Sequence, residues 1–460
     1  MIRPASFVPH AQTGRCADPF PPSREFCCLG WGALTICNPM DSKLFRVEEV
    51  SHLALHVGRL LFQNNADTAH VEDSVVRFTA IFDYEAHLVV TYESLLVSVV
   101  SGEQFRTKVG HRIPSININM AAVTAVDRLI DEVENSRLNL EGIRAELDSI
   151  EDREPIYRRW GVVAALGLTA ASLGRLFGGD WPTFAITLLA GAAGTWLRQE
   201  LGRRKFNLFF VAFATALASG TIGGAAVRLG MSGTPALCLV VPGMILVPGV
   251  PLINGIQDMI KNHMTVGLAR LATGALITLS IAVGLFVATV VTGAKIPVNE
   301  SSLLISLPED ALFSALAAFG YLFLFNVPPQ IAWACVVCGV VSHAGRTLCL
   351  RLGIDIVSGT LIGAMAVGFL AQWFARYFRA PAVAFSFPGV VAMVPGAYAF
   401  RAVIGWFQII AAGAVAAPAL VTETLALSFS CVLMVAVIAI GLAAPLILTN
   451  KGTAPVLSPK

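Results

Sequence analysis

The chain has 460 residues, 55% of them hydrophobic and only 13% charged, where an ordinary globular protein carries about 25% charged. Residues 1–160 hold 16 basic and 22 acidic side chains, whereas residues 161–460 hold 16 and 8, so the first part is soluble-like and the second lipid-like. This excludes a purely soluble enzyme, a collagen-like or disordered chain and a disulfide-stapled secreted domain, and neither part carries the basic stripe of a nucleic-acid binder.

Residues 1–40 are rich in Pro, Cys and Gly without periodicity, and their apolar stretch Leu29–Cys37 is short and glycine-interrupted, unlike a secretory signal. They are expected to be a disordered extension, or an artefact with Met40 as the true start. From Lys43 to Leu61 apolar residues recur at helical spacing, and the run ends at Gln63-Asn64-Asn65. A second helix is expected from Thr68 to about Phe82, with Asp67 as its N-cap. His87–Tyr92, Leu95–Val100 and Phe105–Val109 read as strands, the first two turned at Glu93-Ser94. Charged helices at about Asn119–Ser136 and Asn139–Asp152 complete a cytosolic α+β domain over 41–155.

After Arg158-Arg159-Trp160 the chain turns apolar. A bilayer span needs about 20 mainly apolar residues. Ten candidates follow: 160–177, 181–197, 207–228, 235–253, 266–292, 303–325, 329–350, 354–375, 381–399 and 422–448. Residues 402–418 are a further apolar stretch, readable as an eleventh span, a re-entrant piece or the start of the tenth. With the soluble domain inside, thirteen Lys and Arg flank the spans on the cytoplasmic side and six on the other. This bias places both termini, including the tail 451–460, in the cytoplasm of a multi-pass inner-membrane protein. Cys335 and Cys338 form a CxxC among apolar residues, with no second pair to complete a zinc site, and read as packing residues.

The most informative feature is a duplicated motif. Val241-Pro242-Gly243-Met244-Ile245-Leu246-Val247-Pro248-Gly249 returns as Phe387-Pro388-Gly389-Val390-Val391-Ala392-Met393-Val394-Pro395-Gly396, each copy after a Gly-rich span. Repeats over 156–295 and 296–450, with five spans each, would be inverted relative to one another. The fold class is therefore a polytopic α-helical membrane protein of about ten helices, an inverted 5+5 repeat behind a small α+β domain. Inverted repeats with helices broken by Pro and Gly mark secondary transporters, whose substrate lies between the repeats. N–H groups freed at such a break can hold a carboxylate. The substrate-binding candidates are Pro242, Gly243, Pro248, Gly249, Asn254, Pro388, Gly389, Pro395, Gly396 and Tyr398. Asp258 and Glu423 are candidates for carrying a coupling proton, with an end-cap role as the alternative. His263 and His343 lie near span ends and read as interfacial.

With these motifs and the order soluble domain, five spans, five spans, residues 43–448 resemble the threonine/serine exporter family. Its N-terminal signature corresponds to Asn65-Ala66-Asp67-Thr68-Ala69-His70-Val71-Glu72-Asp73, with Asn65 in place of the usual glycine and His70 in place of the usual arginine. The second departure weakens a fixed-cation role at that position. The resemblance implies proton-driven export of threonine and serine, with His70, Glu72, Asp73 and Arg401 as gating or regulatory residues. Some relatives split the halves between two polypeptides and are associated with export of succinate-type dicarboxylates, and both substrate classes carry a carboxylate. The partners implied are a small-molecule substrate and the lipid bilayer, with no nucleic acid and no cofactor; self-association is left open.

Two readings from other classes compete. A membrane-anchored hydrolase would use His52, His56, Asp67, His70, Glu72, Asp73 and His87, although the soluble domain has no HExxH, GxSxG or cysteine nucleophile. Its mark would be a concave site that gathers several of these side chains. A passive channel would show a continuous polar pore.

Overall fold

The computed structural model describes residues 39–102, 104–111, 118–135, 138–294 and 305–449. Readings that concern residues 1–38 and the tail 451–460 lie outside the described residues. Of the unit Met1–Leu44 only the first turns of helix α1 (Pro39–Gln63) are described, and from Phe45 onward the chain clusters as one unit.

The charged N-terminal part is an α+β layer. Helix α1 buries Val47, Val50, Leu53, Ala54, Val57, Leu60 and Leu61, the 3–4 spacing that puts one helix face against a core. Helix α2 (Thr68–Ala80) starts at Asp67, whose side chain accepts from the His70 N–H as the expected N-cap. It ends two residues early because the Phe82 and Tyr84 N–H groups both close on the Thr79 carbonyl and Asp83 turns left-handed (φ 62°). Strands β1 (Glu85–Val90), β2 (Ser94–Ser101) and β3 (Gln104–His111) form an antiparallel sheet in the order β1-β2-β3. Alternation along β2 buries Leu95, Val97 and Val99 against the helices. The hairpin turns one residue before the expected place, since the Thr91 hydroxyl bonds Ser94 and ends β1 at Val90. Helices α3 (Met120–Glu134) and α4 (Leu140–Asp152) are capped by Asn119 and Asn139.

Helices α5 (Arg159–Leu176), α6 (Trp181–Arg203), α7 (Leu208–Arg228), α8 (Pro235–Met244), α9 (Gly249–Ile260) and α10 (Met264–Thr292) form the first apolar half. Helices α11 (Leu307–Leu324), α12 (Ala332–Arg351), α13 (Ile356–Phe378), α14 (Ala382–Val390), α15 (Gly396–Ala412) and α16 (Pro418–Thr449) form the second. Seven described segments are long and apolar enough to cross a membrane, and α8 with α9, bent by 61°, make an eighth if counted as one. Exposed Leu276, Val290, Phe429 and Val432 on α10 and α16 give these helices an apolar outer face of the kind lipid covers.

Two boundary expectations are corrected. The stretch 402–418 is not the start of the last helix, which begins at Pro418: its residues 402–412 continue α15, part of the span-length segment Gly396–Val415. The candidate span 381–399 divides between α14 and the start of α15, because Pro395 cannot donate to a helix that would run through it.

In the first half α5 packs on α6, α6 on α7, α7 on α10 and α9 on α10; in the second α11 packs on α12, α12 on α13, α13 on α16 and α15 on α16. The halves meet through α5 with α11, α8 with α15 and α9 with α16. Close approach rests on glycine: a side chain at Gly320 would run into Thr169 and the Ala165 carbonyl on α5.

Candidate functional site

Both copies of the duplicated motif break the helix at their second proline, by the same turn. After α8, the Leu246 and Val247 N–H groups bond the Gly243 and Met244 carbonyls, and Gly249 N–H reaches Val247 O at 2.8 Å around Pro248 (φ −77°, ψ 64°). After α14, Val394 N–H bonds Val391 O, and Gly396 N–H reaches Val394 O at 2.8 Å around Pro395 (φ −77°, ψ 49°). Each is an inverse γ-turn centred on proline. Proline fixes φ at the required value and lacks the N–H that would continue the helix, and it drives the preceding residue to extended backbone, as at Val394 (ψ 129°).

The first proline of each motif breaks nothing, a correction to the expectation that Pro242 and Pro388 form part of the break: they lie inside α8 and α14. Proline leaves the carbonyl four residues back without its helical donor. For Pro388 that carbonyl, Ala384 O, accepts from the Cys335 thiol at 3.3 Å. For Pro242 it is Cys238 O, which lies so close to Gly223 that any side chain there would strike it. Cys338 of the same CxxC packs against Gly389, so both of its cysteines serve the second motif.

The two breaks abut in the core. Gly249 faces Val394 and Val391, and Gly396 faces Met244 and Val247. Gly249 and Gly396 spend their N–H groups in the γ-turns, Pro251 has none, and Leu252 and Ala399 bond back to Pro248 and Pro395. Among the described hydrogen bonds this leaves Val250 free to donate at the first break, and Ala397 and Tyr398 at the second. The second break is therefore the better anion cradle.

Asn254 and Asp258 lie away from the breaks, where α9 meets the N-terminal domain. The signature loop 65–68 docks on this helix. Asn254 Nδ2 donates to Asn65 O (2.9 Å), Thr68 N–H to Asp258 Oδ1 (2.9 Å), Arg270 Nη2 to Ala66 O (3.0 Å) and Lys261 Nζ to Asp67 Oδ1 (2.9 Å). Arg270 from α10 pairs with Asp258 at 3.1 Å and lies over the Phe62 ring, and both charged residues are at most 1% exposed. The pair is not aligned as a hydrogen bond. Arg270 Nε, Asp258 Oδ2, Asn254 Oδ1 and Thr68 Oγ1 are buried without hydrogen-bond partners, so this junction is costly to keep closed.

Asn65 has φ 71°, a left-handed conformation favouring glycine and tolerated next best by Asn. Its Ala66 neighbour closes α1 by bonding Leu61 O, so the Gly-to-Asn departure preserves the turn that presents the loop. His70 Nε2 meets Asp127 Oδ1 at 3.1 Å. Burial pulls the imidazole down, but Asp127 and Asp67 outweigh it and lift it to about 9. The two carboxylates thereby favour the charged imidazole, which offsets the departure from arginine at this position. Asp67 moves the other way: burial pushes it up, while Lys261 and His70 hold it at about 2.

Because the folded value of His70 exceeds the ordinary 6.5, its stabilisation is complete below about pH 6.5 and is lost as pH rises through 9. That of Asp67 is complete above about pH 4 and lost as pH falls through 2. Thermal unfolding of wild type and His70→Gln between pH 6 and 10 is expected to differ by roughly 2 kcal/mol at pH 6, allowing for the partly exposed ring, and by nearly nothing at pH 10. A constant difference would mean that His70 acts without its charge.

Glu72 faces His263 at 3.4 Å, and Asp73 lines an open cavity of about 290 Å³ with His70, Arg77, Asp127, Asp131 and Arg379. Arg401 on α15 pairs with Glu423 on α16 at 3.2 Å. The domain is also tied to the second half, since Met120 and Ala121 N–H bond the Phe325 and Asn326 carbonyls that end α11.

His343 is buried, 2% exposed, with Nδ1 2.9 Å from Asp310 Oδ1 in the first turn of α11. Asp310 also accepts from Thr347 (2.6 Å) and Ser314 (3.0 Å), and Arg346 contacts His343 Nε2. This cluster, Arg270 and Lys261 escaped the sequence reading, which counted their cations as topology markers. The spacing of His343 and Arg346, one helical turn apart on an apolar helix, is the available signal.

Of the hydrolase candidates only His70 and Asp73 share a cavity, and the others are dispersed. His56 pairs with Glu151, His70 with Asp127, Asp67 with Lys261 and Glu72 with His263, while His52 and His87 are exposed. Among the described residues no three His, Cys, Asp or Glu side chains are grouped as metal ligands.

Residues 52–292 match a family model described as "Putative threonine/serine exporter", and residues 310–448 match one described as "Threonine/Serine exporter, ThrE". The "Probable threonine/serine exporter" of Mycobacterium tuberculosis is 24% identical over 78% of this chain and 70% of its own length. The "Probable succinate transporter subunit YjjP" of Escherichia coli is 29% identical over 54% of this chain and 96% of its own length. No solved structure matches the chain. The matching motifs, the multi-pass helical architecture and the family matches agree: the chain belongs to the threonine/serine exporter family.

Proposed function

We propose that this chain is a secondary transporter that exports threonine and serine from the cytoplasm in exchange for protons. The observation that carries the reading is the pair of proline-centred breaks, built by the same turn and packed against each other in the core. In this reading α5–α10 and α11–α16 are inverted five-span repeats over 156–295 and 296–450, ten spans in all, with α8–α9 and α14–α15 each counting as one broken span. The matching helix neighbours within the halves support it. Both termini and the domain 41–155 are cytoplasmic, by the Lys and Arg bias.

The substrate carboxylate binds the N–H groups of Ala397 and Tyr398, beside Pro248, Gly249, Pro395 and Gly396, while Pro242, Gly243, Pro388 and Gly389 shape the helices leading in. Asn254 and Asp258 join loop 65–68 in a cytoplasmic gate, flanked by His70, Glu72 and Asp73. Asp258–Arg270 and Arg401–Glu423 each tie a half-helix to the next span, with the signs exchanged. Protonating either carboxylate releases its arginine, which is how Asp258 and Glu423 would couple proton to gate.

A dicarboxylate substrate is the second reading, favoured by the similarity to the E. coli succinate transporter subunit. Counterflow in proteoliposomes with labelled threonine, serine and succinate, with and without a pH gradient, tests both. Exchange of threonine and serine, accelerated by the gradient, is the expected result; exchange of succinate alone selects the second reading, and no exchange of any of the three rejects both.

A further inference from the structure

We propose that Asp310, His343 and Arg346 form a protonation site that drives movement of the second break. The proposal rests on the proton-coupled reading above and adds a site on the opposite end of the helices from the signature loop. Helix α11 meets the N-terminal domain at Phe325 and carries Asp310 in its first turn at the other end. All three side chains are at most 5% exposed.

The hydrogen bonds fix the resting state. An arginine only donates, so His343 Nε2, which contacts Arg346 Nη2, must be the acceptor nitrogen. Nδ1 then carries the hydrogen and donates to Asp310. His343 is thus held neutral with a single lone pair, and that lone pair is occupied by Arg346. A proton arriving at Nε2 replaces the acceptor with an N–H that points at another N–H, and sets two cations beside one carboxylate. Arg346 must then leave. Its Nε is already buried without a partner, so the present position holds it loosely.

The groups around His343 leave few other places for that charge. Asp310 faces it from α11, with Ser314 and Thr347 on the same carboxylate, and Glu309 is taken by Arg175 at 3.4 Å. Tyr398 on α15 is a further ionisable group within electrostatic reach of Arg346. Helices α13 and α14 offer Gly359, Gly363 and Gly389 to this stretch of α12. The link to the break is direct: Ser342, next to His343, donates to the Gly389 carbonyl at 2.6 Å and so holds the last turn of α14. Arg346 lies one turn from Ser342 on the same helix, so its release disturbs the face of α12 that holds α14.

The test uses the full chain in proteoliposomes with labelled threonine, comparing counterflow at equal pH with efflux driven by a pH gradient. In His343→Gln and Asp310→Asn, gradient-driven efflux is expected to fall at least tenfold more than counterflow. Arg346→Met removes the cation that competes with the proton, and is expected to move the midpoint of the pH profile of exchange upward by at least one unit. A wild-type response to the gradient in both of the first two variants overturns the site. So does an unmoved midpoint in Arg346→Met, which keeps the proposal exposed if the other variants fail to fold. Wild-type protein that ignores the gradient overturns proton coupling itself, and the site with it.

Discussion

Arg270→Ala is expected to lower stability by about 3–5 kcal/mol, because it leaves a buried carboxylate without its counter-charge, and to abolish export. Arg270 does three things at once: it pairs with Asp258, donates to Ala66 O and covers the Phe62 ring. Its loss strips both the ion pair and the loop contact, so the proposed gate loses the contacts that close it. The double variant Asp258→Leu with Arg270→Met separates the two consequences. Replacing a buried pair by apolar residues of similar volume is often neutral for stability, so thermal unfolding in detergent is expected to recover while counterflow stays absent. Full stability in Arg270→Ala alone would show that the pair does not hold the loop.

Pro395→Ala, and to a lesser degree Pro248→Ala, is expected to cut counterflow at least tenfold, or about 1.4 kcal/mol or more in the barrier, at unchanged or raised unfolding temperature. The directions oppose because proline at these positions is there for shape. Alanine restores an N–H and a helix former, so the chain can run from α14 into α15 and absorb the γ-turn. The free N–H groups of Ala397 and Tyr398 would then enter helical bonds and cease to be available to a carboxylate. The larger effect belongs at Pro395 because its break leaves two such groups where Pro248 leaves one. Wild-type exchange by both variants would remove the breaks from the transport mechanism.

Most helices were legible because an apolar run of span length allows few alternatives, and the duplicated motif marked where two helices break. The position of each break within the motif was not. Pro242 and Pro248 look alike along the chain, and only the third dimension shows that the carbonyls freed by the first prolines meet Gly223 and Cys335 within a continuing helix, while those before the second prolines accept from Val247 and Val394 in a tightened turn that ends it. The pairing of His343 was hidden for a similar reason: its partner Asp310 stands 33 positions away on another helix. Arg270 carried a weight in topology counting that concealed its burial. The departure at Asn65, by contrast, became intelligible once its backbone angle was known.

The loop that docks on α9 and α10 lies 189 positions before Asn254 and 204 before Arg270. At roughly 5–20 residues per second of synthesis, the ribosome needs about 10–40 s to make the partners of a loop already finished. Through that interval Asp67 and the Asn65 and Ala66 carbonyls wait without these partners while helices α5 to α9 are made behind them. Arg270 therefore reaches the membrane with its counter-charge already on the same half and its backbone acceptor waiting outside. The docking of the loop is in this sense an assembly step, completed on the clock of translation.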